Sequence, residues 1–286
     1  MSAARSPLAL AALVALALAA FAGNSLLARV ALRDGGMDAA SFTALRLVSG
    51  ALVLWALVSL RRAPAARGSG DWISALALFA YAALFSLAYV QLEAGAGALL
   101  LFGAVQATMI GRGLAAGERL ARWQWLGLLV ALAGLVGLLL PGLSAPPPLP
   151  SLLMLGAGVA WGAYSLRGRG ALDPLRTTAG NFLRTLPMAA LFLLALLSQL
   201  QVDTPGLLAA LASGALASGV GYAIWYTALP SLRRASAATL QLAVPLIVAV
   251  AGVLWLGEPA TLRLLLAGAA ILGGVALVLR AGKPAT

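Results

Sequence analysis

Apolar runs of about 20 residues follow one another along the whole chain, separated by short polar breaks. The pattern predicts helices over 7–32, 39–60, 72–92, 95–114, 123–140, 151–168, 176–198, 206–229, 236–256 and 262–280. A helix needs ~20 mainly apolar residues to cross ~30 Å of hydrocarbon. A closed barrel is the other way to satisfy every backbone group in lipid, but its strands alternate apolar with polar positions. Runs such as Leu8–Phe21 and Leu126–Leu140 show no alternation. The expectation is an all-α polytopic membrane protein with ten transmembrane helices. Arg5 followed by Leu8–Ala22 has the look of a signal peptide. The apolar run continues past Gly23 through Leu26, Leu27, Val30 and Leu32, so it reads as the first helix.

Composition agrees. Apolar residues make up 62% of the chain and charged residues 9%, against about 25% charged in a soluble domain. The net charge of +11 would suggest nucleic acid in a soluble protein. Here its distribution is an orientation signal and a nucleic-acid partner is not expected. With both termini cytoplasmic, fourteen Lys and Arg fall on the inner side and only Arg33 and Arg263 outside, while Arg29, Arg46 and Arg184 lie within spans. The opposite orientation would invert the positive-inside bias. The chain has no Cys and no His. Disulfides, zinc sites, histidine-ligated haem and histidine relays are therefore excluded, and neither a metal nor a cofactor is expected.

The chain reads as two halves, 1–145 and 151–286, joined by a proline-rich linker at 146–150. Such a stretch makes a short, stiff spacer. Landmarks recur in order. Ala22-Gly23 matches Trp161-Gly162, and Leu45-Arg46 matches Leu183-Arg184. Phe85 and Tyr89 match Tyr222 and Tyr226, and Gly117-Glu118 matches Gly257-Glu258. Five helices is an odd number, so the second copy enters the membrane from the opposite side. Inverted repeats of this kind occur in many secondary transporters, with the substrate site near the midplane between the copies.

The Trp161-Gly162 pair, the arginine after each first helix, the Leu256-Gly257-Glu258 turn and the 5+5 layout resemble the EamA-type exporters of the drug/metabolite transporter superfamily. The likeness covers essentially the whole chain, although Ala22 stands where the family often has tryptophan. The resemblance implies a ten-helix bundle that exports small metabolites, often amino acids, across a bacterial cytoplasmic membrane. Among such exporters it extends to the YddG-type aromatic amino acid exporters.

Polar and aromatic residues within the spans supply the candidate site. Helix 1 offers Asn24 and Ser25. Helix 3 carries Tyr81, Phe85 and Tyr89 on one face, at i, i+4 and i+8. Helix 6 offers Trp161 and Tyr164, and helix 8 offers Tyr222, Trp225 and Tyr226. Tyr and Trp combine a broad apolar face with one hydrogen-bonding tip, which suits a flat organic ligand. Packing and interfacial belts are the competing uses of such residues. Gln106, Thr239 and Gln241 are candidates to hold an amino or carboxylate group, or to join helices. Arg46 and Arg184 admit two readings, a carboxylate clamp or gate pair, and long side chains satisfying helix-end carbonyls or reaching the interface. Pro245 predicts a bend in helix 9. Glu118 and Glu258 are expected to cap the helices that follow them.

All eight carboxylates fall in connections or at span ends, Glu93 being nearest the membrane. Proton-coupled carriers usually keep a titratable group at depth. The expectation is a gradient-driven uniporter for neutral or zwitterionic metabolites, with a proton-coupled multidrug or metabolite exporter as the alternative. An enzyme would need a nucleophile, metal ligands or paired carboxylates at depth, and a receptor or assembly protein would need larger loops. The expected partners are a small-molecule substrate and membrane lipid.

Overall fold

The computed structural model describes residues 6–61, 70–117, 119–142, 144–169, 171–228, 231–232 and 240–280. Ten helices make up nearly all of these: α1 Pro7–Leu32, α2 Ala39–Ser59, α3 Trp72–Tyr89, α4 Ala94–Ala115 and α5 Arg122–Leu139. They continue with α6 Pro148–Gly168, α7 Pro174–Ala195, α8 Thr204–Ala228, α9 Ala243–Leu256 and α10 Leu262–Arg280. Among the described residues nine of these are long and apolar enough to cross a membrane, and α9 is shorter at 14 residues. The chain is a multi-pass membrane protein.

Helix starts explain where the acidic residues lie. The carboxylate oxygens of Asp38, Asp71, Asp173 and Asp203 accept backbone N–H bonds in the first turns of α2, α3, α7 and α8. Each satisfies an otherwise unpaired donor and complements the positive end of the helix dipole. Between α1 and α2, Asp34 and Gly35 adopt positive φ of 62° and 74° to turn the chain.

Three features depart from the sequence expectation. The proline-rich linker is shorter than 146–150, because Pro148 starts α6 and Pro150 lies in its first turn. Proline is tolerated there since the first-turn N–H groups have no partner within the helix. In the ninth span the helix breaks at Leu242, and Pro245 falls in the first turn of α9, where its missing N–H removes no helical bond. The third departure is in α8, which widens into π-helix over Ser213–Val220.

α3 and α4 pack on α6, α1 packs on α8 and α9, α2 packs on α7, and α5 packs on α10. Glycines allow the closest approaches. A Cβ at Gly158 would come within 2.6 Å of the Leu101 carbonyl oxygen and the Ala104 methyl on α4. The core is built on α1–α4 with α6–α8, whereas α5 and α10 pair at the periphery, exposing apolar faces suited to lipid.

Candidate functional site

A small cavity lies between α1, α3, α4, α6 and α8. Its walls are Phe21, Asn24 and Ser25 from α1, Tyr81 and Phe85 from α3, Leu101 and Phe102 from α4, and Trp161 from α6. Ala217, Ser218 and Tyr222 from α8, with Gln241 beside the break before α9, complete it. The Trp161 and Tyr222 rings stack 5.7 Å apart and 15° from parallel. Tyr81 stands 4.8 Å from Trp161, and Phe21 and Phe182 brace Tyr222 at 5.8 and 6.1 Å. Aromatic contacts of this kind hold each ring in one orientation.

A hydrogen-bond chain crosses the bundle beside these rings. Ser213 Oγ donates to Asn24 Oδ1 at 2.5 Å, and Asn24 Nδ2 donates to the Tyr81 hydroxyl at 3.2 Å. Arg46 Nη2 donates to the same hydroxyl at 3.0 Å. The Arg46 guanidinium lies 5.1 and 5.0 Å from the Tyr81 and Phe85 ring centres, a cation–π arrangement. Arg46 is 1% exposed, and its Nε and Nη1 have no hydrogen-bond partner. Arg184 is placed differently. Its Nη1 donates to the Gly180 carbonyl at 2.9 Å and its guanidinium lies 6.0 Å from the centre of the Trp72 ring.

Of the residues singled out in the sequence, Asn24, Ser25, Tyr81, Phe85, Trp161, Tyr222 and Gln241 line this cavity. The others described lie outside its walls. Tyr89 is fully buried, with its hydroxyl 3.3 Å from the Ala94 carbonyl oxygen that accepts its bond. Tyr164 accepts from Asn181 Nδ2 at 3.4 Å, and Tyr226 pairs with the Thr178 hydroxyl at 3.1 Å. Trp225 packs edge-on against Phe21 from the far side. Gln106 lines a separate groove among α4, α5 and α10. Thr239 and Glu118 lie outside the described residues. Phe21, Leu101, Phe102, Ala217 and Ser218 had no distinguishing signal beyond their apolar or small character, except Ser218, which immediately precedes the Gly219-Val220-Gly221 stretch.

Polar latches flank the cavity at both ends of the bundle. Glu258 does not cap α10, as the sequence suggested; Thr261 Oγ1 accepts the Leu264 N–H instead. The Glu258 carboxylate reaches across to the start of α4, accepting the Ala94 N–H at 2.8 and 2.9 Å and pairing with Arg29 Nε at 3.3 Å. Arg29 also donates to the Tyr89 and Val90 carbonyls. Beside them Asp38 accepts the Gln201 N–H at 2.9 Å, joining the start of α2 to the α7–α8 connection. Burial pushes the Glu93 carboxyl above its usual range, and the neighbouring Glu258 charge adds to this against the pull of Arg29.

At the opposite end Arg167 on α6 pairs with Asp71 at 3.0 Å, and the Asp71 N–H donates to Asn181 Oδ1 on α7 at 2.9 Å. Burial alone would raise the Asp71 carboxyl. Hydrogen bonds from the Ser74 hydroxyl and N–H, with the Arg167 guanidinium, outweigh it and bring the pKa down to about 2.

Comparison with known proteins agrees with this architecture. The profile of the EamA-like transporter family matches residues 149–280. An uncharacterized protein of Pseudomonas aeruginosa is 59% identical over 275 residues, covering 96% of each chain. A solved crystal structure aligns over 93% of this chain and 98% of its own, with a TM-score of 0.67 at 22% identity, and shares its fold. The chain belongs to the EamA-like transporter family.

Proposed function

We propose that this membrane transporter exports small aromatic metabolites, aromatic amino acids foremost, through the cavity between α1, α3, α6 and α8. The observation that carries the reading is the Trp161–Tyr222 stack, closed by Tyr81 and set beside the Asn24–Tyr81 hydrogen bonds. A flat ring finds apolar faces there, and its polar end finds hydroxyl and amide groups. The substrate is neutral or zwitterionic, and the carrier runs down the substrate gradient in a bacterial cytoplasmic membrane with both termini inside.

Inverted five-helix halves supply the alternating access. The packing pairs support that organisation, because exchanging the halves maps α3–α6 onto α8–α1, and α4–α6 onto α9–α1. The same exchange leaves α2–α7 and α5–α10 unchanged. In this orientation the Arg29–Glu258 latch closes the outer face and the Asp71–Arg167 pair braces the inner one. Both must break and reform during a cycle.

Reconstitution tests the reading. Proteoliposomes preloaded with unlabelled phenylalanine are expected to take up labelled phenylalanine by counterflow. Uptake no greater than in protein-free liposomes, for phenylalanine, tyrosine and tryptophan alike, would contradict it.

A further inference from the structure

We propose that Arg46 and Tyr81 form a carboxylate-recognising pole of the central cavity, so that the substrate's carboxylate is required for transport and its amino group is not. The proposal deepens the reading above and rests on the cavity being the transport site.

Four buried side-chain polar atoms among the described residues lack a hydrogen-bond partner: Arg46 Nε, Arg46 Nη1, Ser218 Oγ and Arg176 Nε. Arg176 Nε has an ionic neighbour, Asp173, at 3.6 Å. The other three lie in or directly behind the cavity wall. Ser218 lines it, and Arg46 lies against Tyr81 and Phe85, which also line it. Arg46 is 1% exposed and takes part in none of the ion pairs among the described residues. The π faces beneath it offset only part of the cost of burying an ion. A guanidinium in that position matches a carboxylate, whose two oxygens accept from its fork.

Tyr81 points to the same ligand. Its hydroxyl oxygen accepts from both Asn24 Nδ2 and Arg46 Nη2, which occupies both lone pairs and leaves the O–H proton to be donated. Asn24 is held in that role because Ser213 occupies its carbonyl oxygen. The network therefore presents donors. No carboxylate stands among the cavity walls to answer an ammonium group, which is left to hydroxyls, the Gln241 amide and ring faces. The recognised chemistry is an aromatic ring carrying one carboxylate.

The test is competition against labelled-phenylalanine counterflow at pH 8, using 3-phenylpropanoate (amine removed) and 2-phenylethylamine (carboxylate removed). The propanoate is expected to compete about as well as phenylalanine, and the amine at least about tenfold less well, as for loss of a charge-assisted hydrogen bond. Tyr81→Phe keeps the ring and removes the donor. It is expected to weaken phenylalanine and phenylpropanoate about tenfold and to leave phenylethylamine unchanged. Arg46→Gln, in preparations that remain monodisperse, is expected to erase the preference for carboxylates. Phenylethylamine competing as well as phenylalanine, or Tyr81→Phe weakening all three ligands equally, overturns the proposal while the aromatic cavity stands. Absence of counterflow with every aromatic solute overturns the transport reading and this inference with it.

Discussion

Asn24, Arg46 and Tyr81 come from three helices and lie far apart in the sequence, yet they share one hydroxyl. That meeting could not be read from periodicity, which shows the face of a helix but not the helix it packs against. Periodicity placed Tyr81, Phe85 and Tyr89 on one stripe; burial then separated Tyr89 from the cavity, because its ring lies under Gly97 at the start of α4. Glu93 shows a similar displacement. It stands at the N-cap position of α4 but makes no capping bond, while Glu258 accepts the Ala94 N–H. Two carboxylates crowd one helix start, and the Glu93 pKa is raised. The folded protein therefore holds the Glu93 proton more tightly than the unfolded chain does. Stability falls as pH rises from the ordinary value of 4.5 through the raised one. Glu93→Gln is expected to remove that slope and to raise the melting temperature at pH 7, measured in detergent between pH 4 and pH 8. An unchanged pH profile would show that Glu93 is not under this strain.

At the scale of the element, helix lengths were legible because lipid demands about 20 apolar residues and leaves few alternatives. Helix starts were less so. Pro148 and Pro150 read as linker, though proline fits the first turn of a helix as readily as an extended spacer. The π segment of α8 left no mark beyond a run rich in Gly, Ala and Ser, and it is there that Ser213 meets Asn24. Glu258 illustrates a cap that serves a helix remote in sequence, so spacing alone could not assign it. Its carboxylate ties the α9–α10 connection to α1 and α4 at the end assigned to the outside. Losing a cap costs ~1 kcal/mol, and losing one partner of a half-buried ion pair adds to that. Glu258→Ala is expected to shift the carrier toward outward opening. The chain has no native cysteine, so Ser25→Cys gives a single reporter on the cavity wall. Its labelling by an impermeant maleimide from outside is expected to speed up about tenfold with Glu258→Ala, the change that ~1.4 kcal/mol would give. An unaltered rate would show that Glu258 does not gate this face.

For the whole molecule, the proposed orientation rests on the distribution of the arginines, a charge signal that the membrane reads before any packing exists. An enzyme fusion active only outside the cytoplasm, joined after Lys283, is expected to be silent. Activity there would reverse the proposed assignment of outer and inner faces. The proposed selection of solute by a stacked aromatic cavity turns on the Trp161 ring. Trp161→Ala removes both the Tyr222 stack and the Tyr81 contact. Aromatic pairs are worth ~0.5–1.5 kcal/mol beyond the area they bury, so a loss of about tenfold in aromatic binding follows. The direct measurement is counterflow of labelled phenylalanine and labelled alanine in proteoliposomes carrying equal amounts of either protein. Trp161→Ala is expected to lower phenylalanine counterflow about tenfold and to leave alanine counterflow near its original level. An equal loss for both solutes would contradict it, since Trp161 would then be holding helices together rather than holding the substrate.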